Sequence, residues 1–145
     1  LRLHPRQVIV LPQRVDTALL NWLADCRLQT VMVVHANHAN EISHEVTAAL
    51  LRLKETGVTL LNQAVLLKGV NDDVQVLAAL SEHLFAAQVL PYYLHQLDRV
   101  QGARHFEVSD TQALKLVHHL RAHLPGYLVP RLVREQAGKL AKIPL

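Results

Sequence analysis

The stretch Thr30-Val31-Met32-Val33-Val34 is a nearly continuous run of apolar and mostly β-branched residues. Such a run is typical of a strand in a parallel sheet that is covered on both faces. Similar short runs occupy residues 8–11, 58–61, 89–94 and 127–129. Each of them predicts a further strand.

Amphipathic stretches separate these runs and predict four helices. Asp16 can cap the first, over about residues 17–27, because its carboxylate can accept from the free N–H groups of the first turn. Val15, Leu19, Trp22 and Cys26 recur at helical spacing, which predicts that they form its buried face.

Capping signals also mark the other three helices. Ser43 can open the second helix and Gly57 can end it. The third is expected over residues 71–88, and Ser109 with Gln112 forms a capping box for the fourth, which runs to about residue 124. Alternating strands and helices with short links predict an α/β fold with parallel strands and outer helices, as one domain or one piece of a domain.

Polar residues follow the apolar runs at a regular place. The strand-end residues are His35, Asn37 and His38; Asn62 and Gln63; His95, Gln96 and Asp98; and Arg134, Glu135 and Lys142. In a parallel α/β architecture the carboxyl ends of the strands converge at one mouth, so these residues are candidates for a common site. The alternative is that these residues have no common function and are polar because each strand reaches solvent where it leaves the core.

Several chemistries remain open for these residues. His35 and His38 are either metal ligands or a hydrogen-bonded pair within a loop, and the second interpretation is favoured because no third ligand has a fixed spacing to them. Asp98 and Glu135 suit a bound cation, pairing with arginines or simple hydration equally well. The sequence contains no Walker A, GxGxxG or GxSxG motif.

Composition excludes several classes of protein. Half of the 145 residues are hydrophobic, which excludes a disordered or low-complexity chain. The net charge of +3 is small, the basic residues are scattered and only 4% of residues are aromatic, so no nucleic-acid partner is expected. A single cysteine, Cys26, excludes disulfides and any cysteine-ligated metal centre built by this chain alone. No apolar run is long enough to span a membrane and no signal peptide is recognised, so a cytoplasmic location is expected.

Six segments, in order over nearly the whole chain, resemble the C-terminal half of the lysine 2,3-aminomutase family. They are Val-Leu-Pro-Gln-Arg at 10–14, His-Ala-Asn at 35–37, Asn-Gln-Ala-Val-Leu-Leu-Lys-Gly-Val-Asn-Asp at 62–72, Pro-Tyr-Tyr-Leu-His-Gln-Leu-Asp at 91–98, Gly-Ala-Arg-His-Phe at 102–106 and Gly-Tyr-Leu-Val-Pro at 126–130. His95 and the loop that begins at His35 look most similar to the bacterial branch that makes β-lysine for elongation factor P.

The resemblance implies a partial (β/α) barrel of the radical S-adenosylmethionine type, similar to a TIM barrel. It places the first strand at residues 1–4 and puts residues 8–11 in the link before the first helix. Residues 1–145 would form the C-terminal part of this barrel, with the pyridoxal-phosphate lysine in a segment at about 131–145. The cluster cysteines and the glycine motif of the family would lie in a missing N-terminal half. An open sheet edge would favour self-association.

The resemblance also implies roles for individual residues. Lys142 matches the lysine that binds pyridoxal phosphate covalently, with Lys139 as the rival candidate. Asp98 and Glu135 match acids that hold the distal ammonium of the lysine substrate, and a buried ammonium needs such partners. The residues assigned to cofactor binding are His35, Asn37, Asn62 and Gln63 on the S-adenosylmethionine side, and Tyr92, Tyr93 and His95 near the pyridoxal ring.

The implied activity is the conversion of α-lysine to β-lysine by a pyridoxal-phosphate-assisted radical 1,2-amino migration. The full-length enzyme would also use S-adenosylmethionine and a 4Fe–4S cluster, whose ligands this chain lacks, so the fragment alone is expected to be inactive. Lysine, the missing half of the barrel and a second copy of the chain are the expected partners. Two alternatives remain, namely a non-catalytic α/β module that binds a small ligand or a partner, and a weak nucleic-acid binder.

Overall fold

The computed structural model describes residues 1–97, 104–136, 138 and 141–145, and all structural statements below concern those residues. The strands are β1 (Arg2–Leu3), β2 (Val31–Val34), β3 (Thr59–Leu66), β4 (Leu90–Gln96), β5 (Arg131–Arg134) and β6 (Ile143–Pro144). The helices are α1 (Gln7–Val10), α2 (Thr17–Ala24), α3 (His44–Glu55), α4 (Val74–Ala86) and α5 (Asp110–His123). Within the described part of the chain, no helix is both long and apolar enough to cross a bilayer.

The six strands form one sheet in the order β1-β2-β3-β4-β5-β6. Neighbouring strands from β1 to β5 are parallel, whereas β6 runs antiparallel to β5. The predicted α/β fold with parallel strands is therefore confirmed. The partial barrel stays a prediction.

The main core lies between the sheet and its helices. In β3, Leu60, Ala64 and Leu66 are buried in this core, whereas Leu61 and Val65 point to the opposite face and are only partly buried. In β2, the consecutive residues Met32, Val33 and Val34 are all buried, as predicted for a strand covered on both faces, whereas β3 is fully covered on one face only. The partly covered face of the sheet, called the open face below, is where the site lies.

Three predicted helix starts are confirmed by cap contacts. Leu19 N donates to Asp16, Val46 N donates to Ser43, and Ser109 forms its capping box with Gln112. Gly57 follows α3 with a positive φ of 85°, as expected for the glycine after a helix.

The third predicted helix begins later than expected. Asp73, rather than residues 71–72, caps α4 by accepting from Gln75 N and Val76 N. The carboxylate of Asp72 instead accepts from Gly69 N and closes the turn before the helix. Competition between local acceptors therefore decides where the helix starts.

Two predicted strands are wrong. Residues 8–11 lie mainly in the short helix α1, where Val8 and Ile9 are buried, so the first strand is β1, as the family resemblance implies. Residues 127–129 fall in a 3-10 turn over Gly126–Leu128 and its end, and the strand follows as β5. In both places β-branched or aromatic residues favour a strand, but tertiary packing overrides that propensity.

The predicted buried face of α2 is also wrong for two of its four residues, Trp22 and Cys26. Trp22 is 52% exposed, while Leu23 is buried. The helix ends at Ala24 with Asp25 as its C-cap, so Cys26 lies beyond it and is only partly buried. A helical projection extended past the real helix end therefore misplaces Cys26, whereas Trp22 lies within the helix on a side that is exposed.

Candidate functional site

A cavity of about 870 Å³ lies on the open face of the sheet. It is lined by Arg2, His4, Val31, Val33, Leu61, Gln63, Tyr92, Tyr93, Glu135, Gln136, Ala141 and Lys142. A second cavity, of about 530 Å³, shares Gln63 and Glu135 with the first and also contains His35, Asn37 and His95. The two cavities therefore meet along one groove, which is large enough for small-molecule ligands.

Strand β6 brings Lys142 into this groove. It pairs with β5 so that Ile143 lies opposite Arg134, which places Lys142 beside Glu135 across the connection. The Lys142 Nζ donates to Glu135 Oε1 and lies 3.2 Å from His95 Nε2. It also lies 5.3 Å from the centroid of the Tyr93 ring, within the range of a cation–π contact. These four residues are called the Lys142 cluster below.

An irregularity in β4 turns two adjacent tyrosines toward the same cavity. The register with β3 passes from Asn62 opposite Pro91 to Gln63 opposite Tyr93, so Tyr92 is the extra residue. The Tyr92 hydroxyl donates to the Tyr93 hydroxyl over 3.0 Å. Neighbours in a regular strand point to opposite faces, and a bulge is what allows both rings to share one.

The charges in the groove influence one another. The Lys142 ammonium lowers the pKa of the Glu135 carboxyl through a hydrogen bond and through charge attraction. The hydrogen bond with Tyr93 raises the pKa of Tyr92, and burial adds to that effect. Burial lowers the pKa of His35, and the positive charges of Arg6, His4 and Lys142 add to that effect. Glu135 is therefore ionised and His35 favours its neutral form near neutral pH.

Asn62 and Gln63 lie within β3 rather than after it, because this strand continues to Leu66, so their predicted strand-end position is wrong. Gln63 meets His35, which follows β2. Gln63 Nε2 lies 3.3 Å from His35 Nδ1, and the His4 ring centroid lies 6.3 Å from that of His35. The three side chains are partly exposed to the groove or line it. This pair is thus available to a ligand that enters beside the Lys142 cluster.

Asn37 and Asn62, which the family resemblance assigns to the S-adenosylmethionine side, form hydrogen bonds with the main chain instead. Asn62 is 2% exposed, accepts from Ala36 N and donates to Ala36 O. Asn37 Oδ1 accepts from Val65 N. Both side chains hold the loop after β2 against β3, which fixes where His35 lies.

The role of Asn71 was not predicted from the sequence. Its side chain is completely buried, accepts from Leu67 N and donates to the carbonyl oxygens of Asn37 and Val65. Asn71 thereby ties the loop after β3 to the loop after β2. Its position near the end of the family-like segment at residues 62–72 is the sequence feature that could have indicated this role.

Other strand-end residues bond to the start of α5 or to a nearby turn, or lie outside the described chain. Gln96 and Arg134 both donate to Asp110 at the start of α5. His38 accepts from Asn40 N and caps the following turn, which favours the loop interpretation over a metal ligand. Among the described residues, no group of three His, Cys, Asp or Glu is arranged to hold a metal ion. Asp98 and Lys139 lie outside the described residues.

Curated relatives cover nearly the whole of this chain. L-lysine 2,3-aminomutase from Haemophilus influenzae is 53% identical over 139 residues, which are 96% of this chain and 41% of that protein. L-lysine 2,3-aminomutase from Escherichia coli is 51% identical over 145 residues, which are 100% of this chain and 42% of that protein. The chain thus spans about two fifths of the length of these relatives. No protein-family model matches it.

A solved structure shares the fold. A radical SAM methyltransferase from Sphaerobacter thermophilus has a TM-score of 0.62 and 19% sequence identity, and the similarity covers 83% of this chain and 38% of that one. At this identity the likeness concerns the fold alone. The sequence similarities identify the chain as a homologue of the L-lysine 2,3-aminomutases, matched to their C-terminal part.

Proposed function

We propose that this chain is the cofactor-holding part of a lysine 2,3-aminomutase, an isomerase that converts α-lysine to β-lysine by radical 1,2-amino migration. The observation that carries the proposal is the Lys142 cluster, in which an amine is held at the wall of a cavity on the open face. A second part of the proposal is that the β-lysine serves the modification of elongation factor P.

The residues of the larger cavity fit pyridoxal phosphate. Lys142 supplies a primary amine for the aldehyde, and the Tyr92 and Tyr93 rings supply apolar surface for a flat ring. Arg2 and His4 line the same cavity and offer donors for a phosphate. We therefore assign Lys142 as the attachment site, Tyr92, Tyr93 and His95 as neighbours of the ring, and Arg2 and His4 as its anion partners.

When bound, pyridoxal phosphate supplies a conjugated system that stabilises an adjacent radical, and S-adenosylmethionine with a 4Fe–4S cluster supplies the radical that removes hydrogen. The contribution of this chain is to position ligands and exclude water. Lys142 would hold the cofactor, and His95 and Tyr93, which contact the Lys142 amine, would keep that amine in place. His35 and Gln63 face the adjoining cavity, where we place the S-adenosylmethionine side. Asn37 and Asn62 support that side by fixing the loop after β2.

Glu135 is the described candidate for holding the distal ammonium of lysine. Its carboxylate lines both cavities, and the hydrogen bond from Lys142, with the Lys142 charge, lowers the Glu135 pKa further below neutral pH, so the carboxylate is ionised there. Asp98 is proposed as the second acid on the basis of the family resemblance. Two carboxylates would favour a cationic side chain and disfavour glutamate.

The iron–sulfur cluster requires ligands from outside this chain. The family motif needs three cysteines and the sequence contains only Cys26. We propose that the cluster ligands lie in a further segment that completes the barrel, and that the 145 residues alone do not catalyse the shift.

The proposal is tested by trapping the cofactor. The chain is incubated with pyridoxal phosphate, the adduct is reduced with borohydride, and the modified lysine is identified by peptide mass spectrometry. We expect an absorbance band of a pyridoxal–lysine adduct and a label on Lys142. Lys142→Ala should abolish both, whereas the matched change Lys115→Ala, on the exposed side of α5, should preserve them.

Other results would contradict specific parts of the proposal. A folded chain that forms no adduct would contradict the cofactor assignment and favour a non-catalytic α/β module that binds another small ligand or a partner. A label confined to Lys139 would replace Lys142 with Lys139 as the attachment site.

A further inference from the structure

The carboxylate of Asp110, the first residue of α5, joins the ends of two neighbouring strands. Its Oδ1 accepts from Gln96 Nε2 at 3.1 Å and from the guanidinium of Arg134. Gln96 is the last residue of β4, and Arg134 is the last residue of β5. One carboxylate oxygen therefore bridges β4 and β5 at their carboxyl ends. This set of contacts is called the Asp110 bridge below.

The Asp110 bridge lies where the main-chain pairing of β4 with β5 ends. In the described chain the last paired residues of these strands are His95 and Val133. One position further on, the side chains of Gln96 and Arg134 meet on the same carboxylate. Hydrogen bonds to an ionised group are stronger than those between neutral groups. The bridge therefore extends the connection between the two strands past the end of their ladder.

Gln96 provides a buried anchor for the bridge. The residue is 5% exposed, and its Nε2 also donates to the carbonyl oxygen of Val108. Its Oε1 has no hydrogen-bond partner among the described residues, so in that part of the chain the amide is held through Nε2. The side chains of Arg134 and Asp110 are 35% and 48% exposed. The bridge thus ties a partly exposed arginine to a buried amide.

The two bridged residues are the chain neighbours of the Lys142 cluster. Arg134 directly precedes Glu135, and it pairs with β6, which Lys142 immediately precedes. A displacement of Arg134 would therefore shift both partners of the Glu135–Lys142 ion pair. On the neighbouring strand, Gln96 follows His95, whose Nε2 lies 3.2 Å from Lys142 Nζ.

We propose that Asp110 is a positioning residue for the Lys142 cluster, because it holds the ends of β4 and β5 at the spacing that brings His95 and Glu135 to the Lys142 amine. Asp110 acts through the last residues of the two strands rather than on a ligand. The inference deepens the proposed function, and its bearing on pyridoxal phosphate rests on that function. The alternative is that Asp110 only favours the start of α5, since an acid in the first turn of a helix interacts favourably with the helix dipole.

A zero-length cross-link tests the inference without the cofactor. A water-soluble carbodiimide joins a carboxylate to an amine in contact with it, and the carbodiimide takes up the water that is released. The ion pair of Glu135 with Lys142 should therefore give an isopeptide bond within the full 145-residue chain. Peptide mass spectrometry measures the yield near neutral pH, and mixing with an isotope-labelled copy identifies cross-links between chains.

Asp110→Asn and Arg134→Gln each remove the ion pair of the bridge, and Ser109→Ala is the matched control. Ser109 caps α5 from the adjacent position, so its loss weakens the start of the helix but preserves the contact of Asp110 with Arg134. The two test substitutions change the local charge in opposite directions. An effect that both share therefore cannot come from the change of charge alone.

We expect Asp110→Asn and Arg134→Gln each to lower the yield of the Glu135–Lys142 cross-link by about two- to fivefold, the range for loss of a partly exposed ion pair. The double substitution should lower it no further, because both changes remove the same contact. Both should raise the dissociation constant of pyridoxal phosphate by a similar factor, and Ser109→Ala should change neither quantity. Circular dichroism verifies that each chain is folded, and Arg134→Gln decides the question if Asp110→Asn is not.

Three results would overturn the inference. They are a cross-link yield in the bridge variants equal to that in Ser109→Ala, no cross-link in the unsubstituted chain, and a lower yield with unchanged affinity for pyridoxal phosphate. The two proposals fail in different ways. If the bridge variants lower the cross-link while no chain forms a pyridoxal adduct, the positioning of the cluster stands and the cofactor assignment fails. If pyridoxal phosphate labels Lys142 and the cross-link is unchanged, the cofactor site stands and the positioning role fails.

Discussion

The Nζ of Lys142 lies 3.2 Å from Nε2 of His95, although the two residues are 47 positions apart in the chain. Two connections create this approach: β4 pairs with β5, and β6 turns back to pair with β5 in the antiparallel direction. Lys142 immediately precedes β6, so its position is determined by a pairing of only two residues.

The first prediction concerns this short strand. Deleting residues 143–145 should abolish pyridoxal-phosphate labelling of Lys142, because the paired residues that hold it beside Glu135 and His95 are lost. The helical circular dichroism signal should be unchanged, since the main core does not include β6. Borohydride trapping followed by peptide mass spectrometry measures the effect. Leu145→Ala is the control, because it preserves the main-chain bond from Leu145 N to Leu132 O. Full labelling of the truncated chain would contradict this prediction.

The second prediction concerns the pH dependence of stability at His35. Burial lowers the pKa of His35 from an ordinary value of 6.5, so below that value the unfolded state binds more protons than the folded state. The contribution of His35 to stability should be fully present above pH 6.5 and should decrease as the pH falls toward its folded-state pKa. Urea unfolding at a series of pH values checks this. His35→Gln should flatten this part of the curve, whereas parallel curves for the unsubstituted chain and His35→Gln would refute the assignment.

The third prediction concerns the buried amide that joins two loops. Asn71→Ala should lower the free energy of unfolding by about 2 kcal/mol, because it removes three hydrogen bonds and leaves part-buried main-chain groups of Leu67, Asn37 and Val65 without this partner. Asn40→Ala, at an exposed position, should change it by less than about 0.5 kcal/mol. Chemical denaturation measures both values. Equal effects of the two substitutions would show that Asn71 does not carry this structural role.

Sequence patterns predicted most elements because those elements are locally encoded. Ser43 and Ser109 cap their helices as expected, and the apolar run at residues 30–34 forms β2. The patterns failed where packing competes with propensity, as in the helix α1, or where an element ends early, as before Cys26. The strand β6 has only two residues, and its antiparallel pairing has no pattern that a local reading would detect.

The sequence predicted which residues are candidates for the site, but it did not predict which of them contact one another. His95, Glu135 and Lys142 were recognised as strand-end residues or through family resemblance, and the structure brings all three together. Asn62 looked equally polar, yet its amide is buried and bonded to the main chain of Ala36. Polar residues that the sequence placed together as strand-end candidates therefore have different surroundings, which a linear pattern does not distinguish.

The sequence by itself determined the alternation of strands and helices and most helix caps, because each depends on neighbours within a few positions. It also supplied the polar candidate residues, although Asn62 and Gln63 lie within β3 rather than at its end. Only the tertiary structure decided which of those residues meet. The bulge that turns Tyr92 and Tyr93 to one cavity and the pairing of β6 with β5 both depend on strand register. Register is set by packing across the whole sheet, and for that reason the ion pair of Lys142 with Glu135 emerges only in the folded chain.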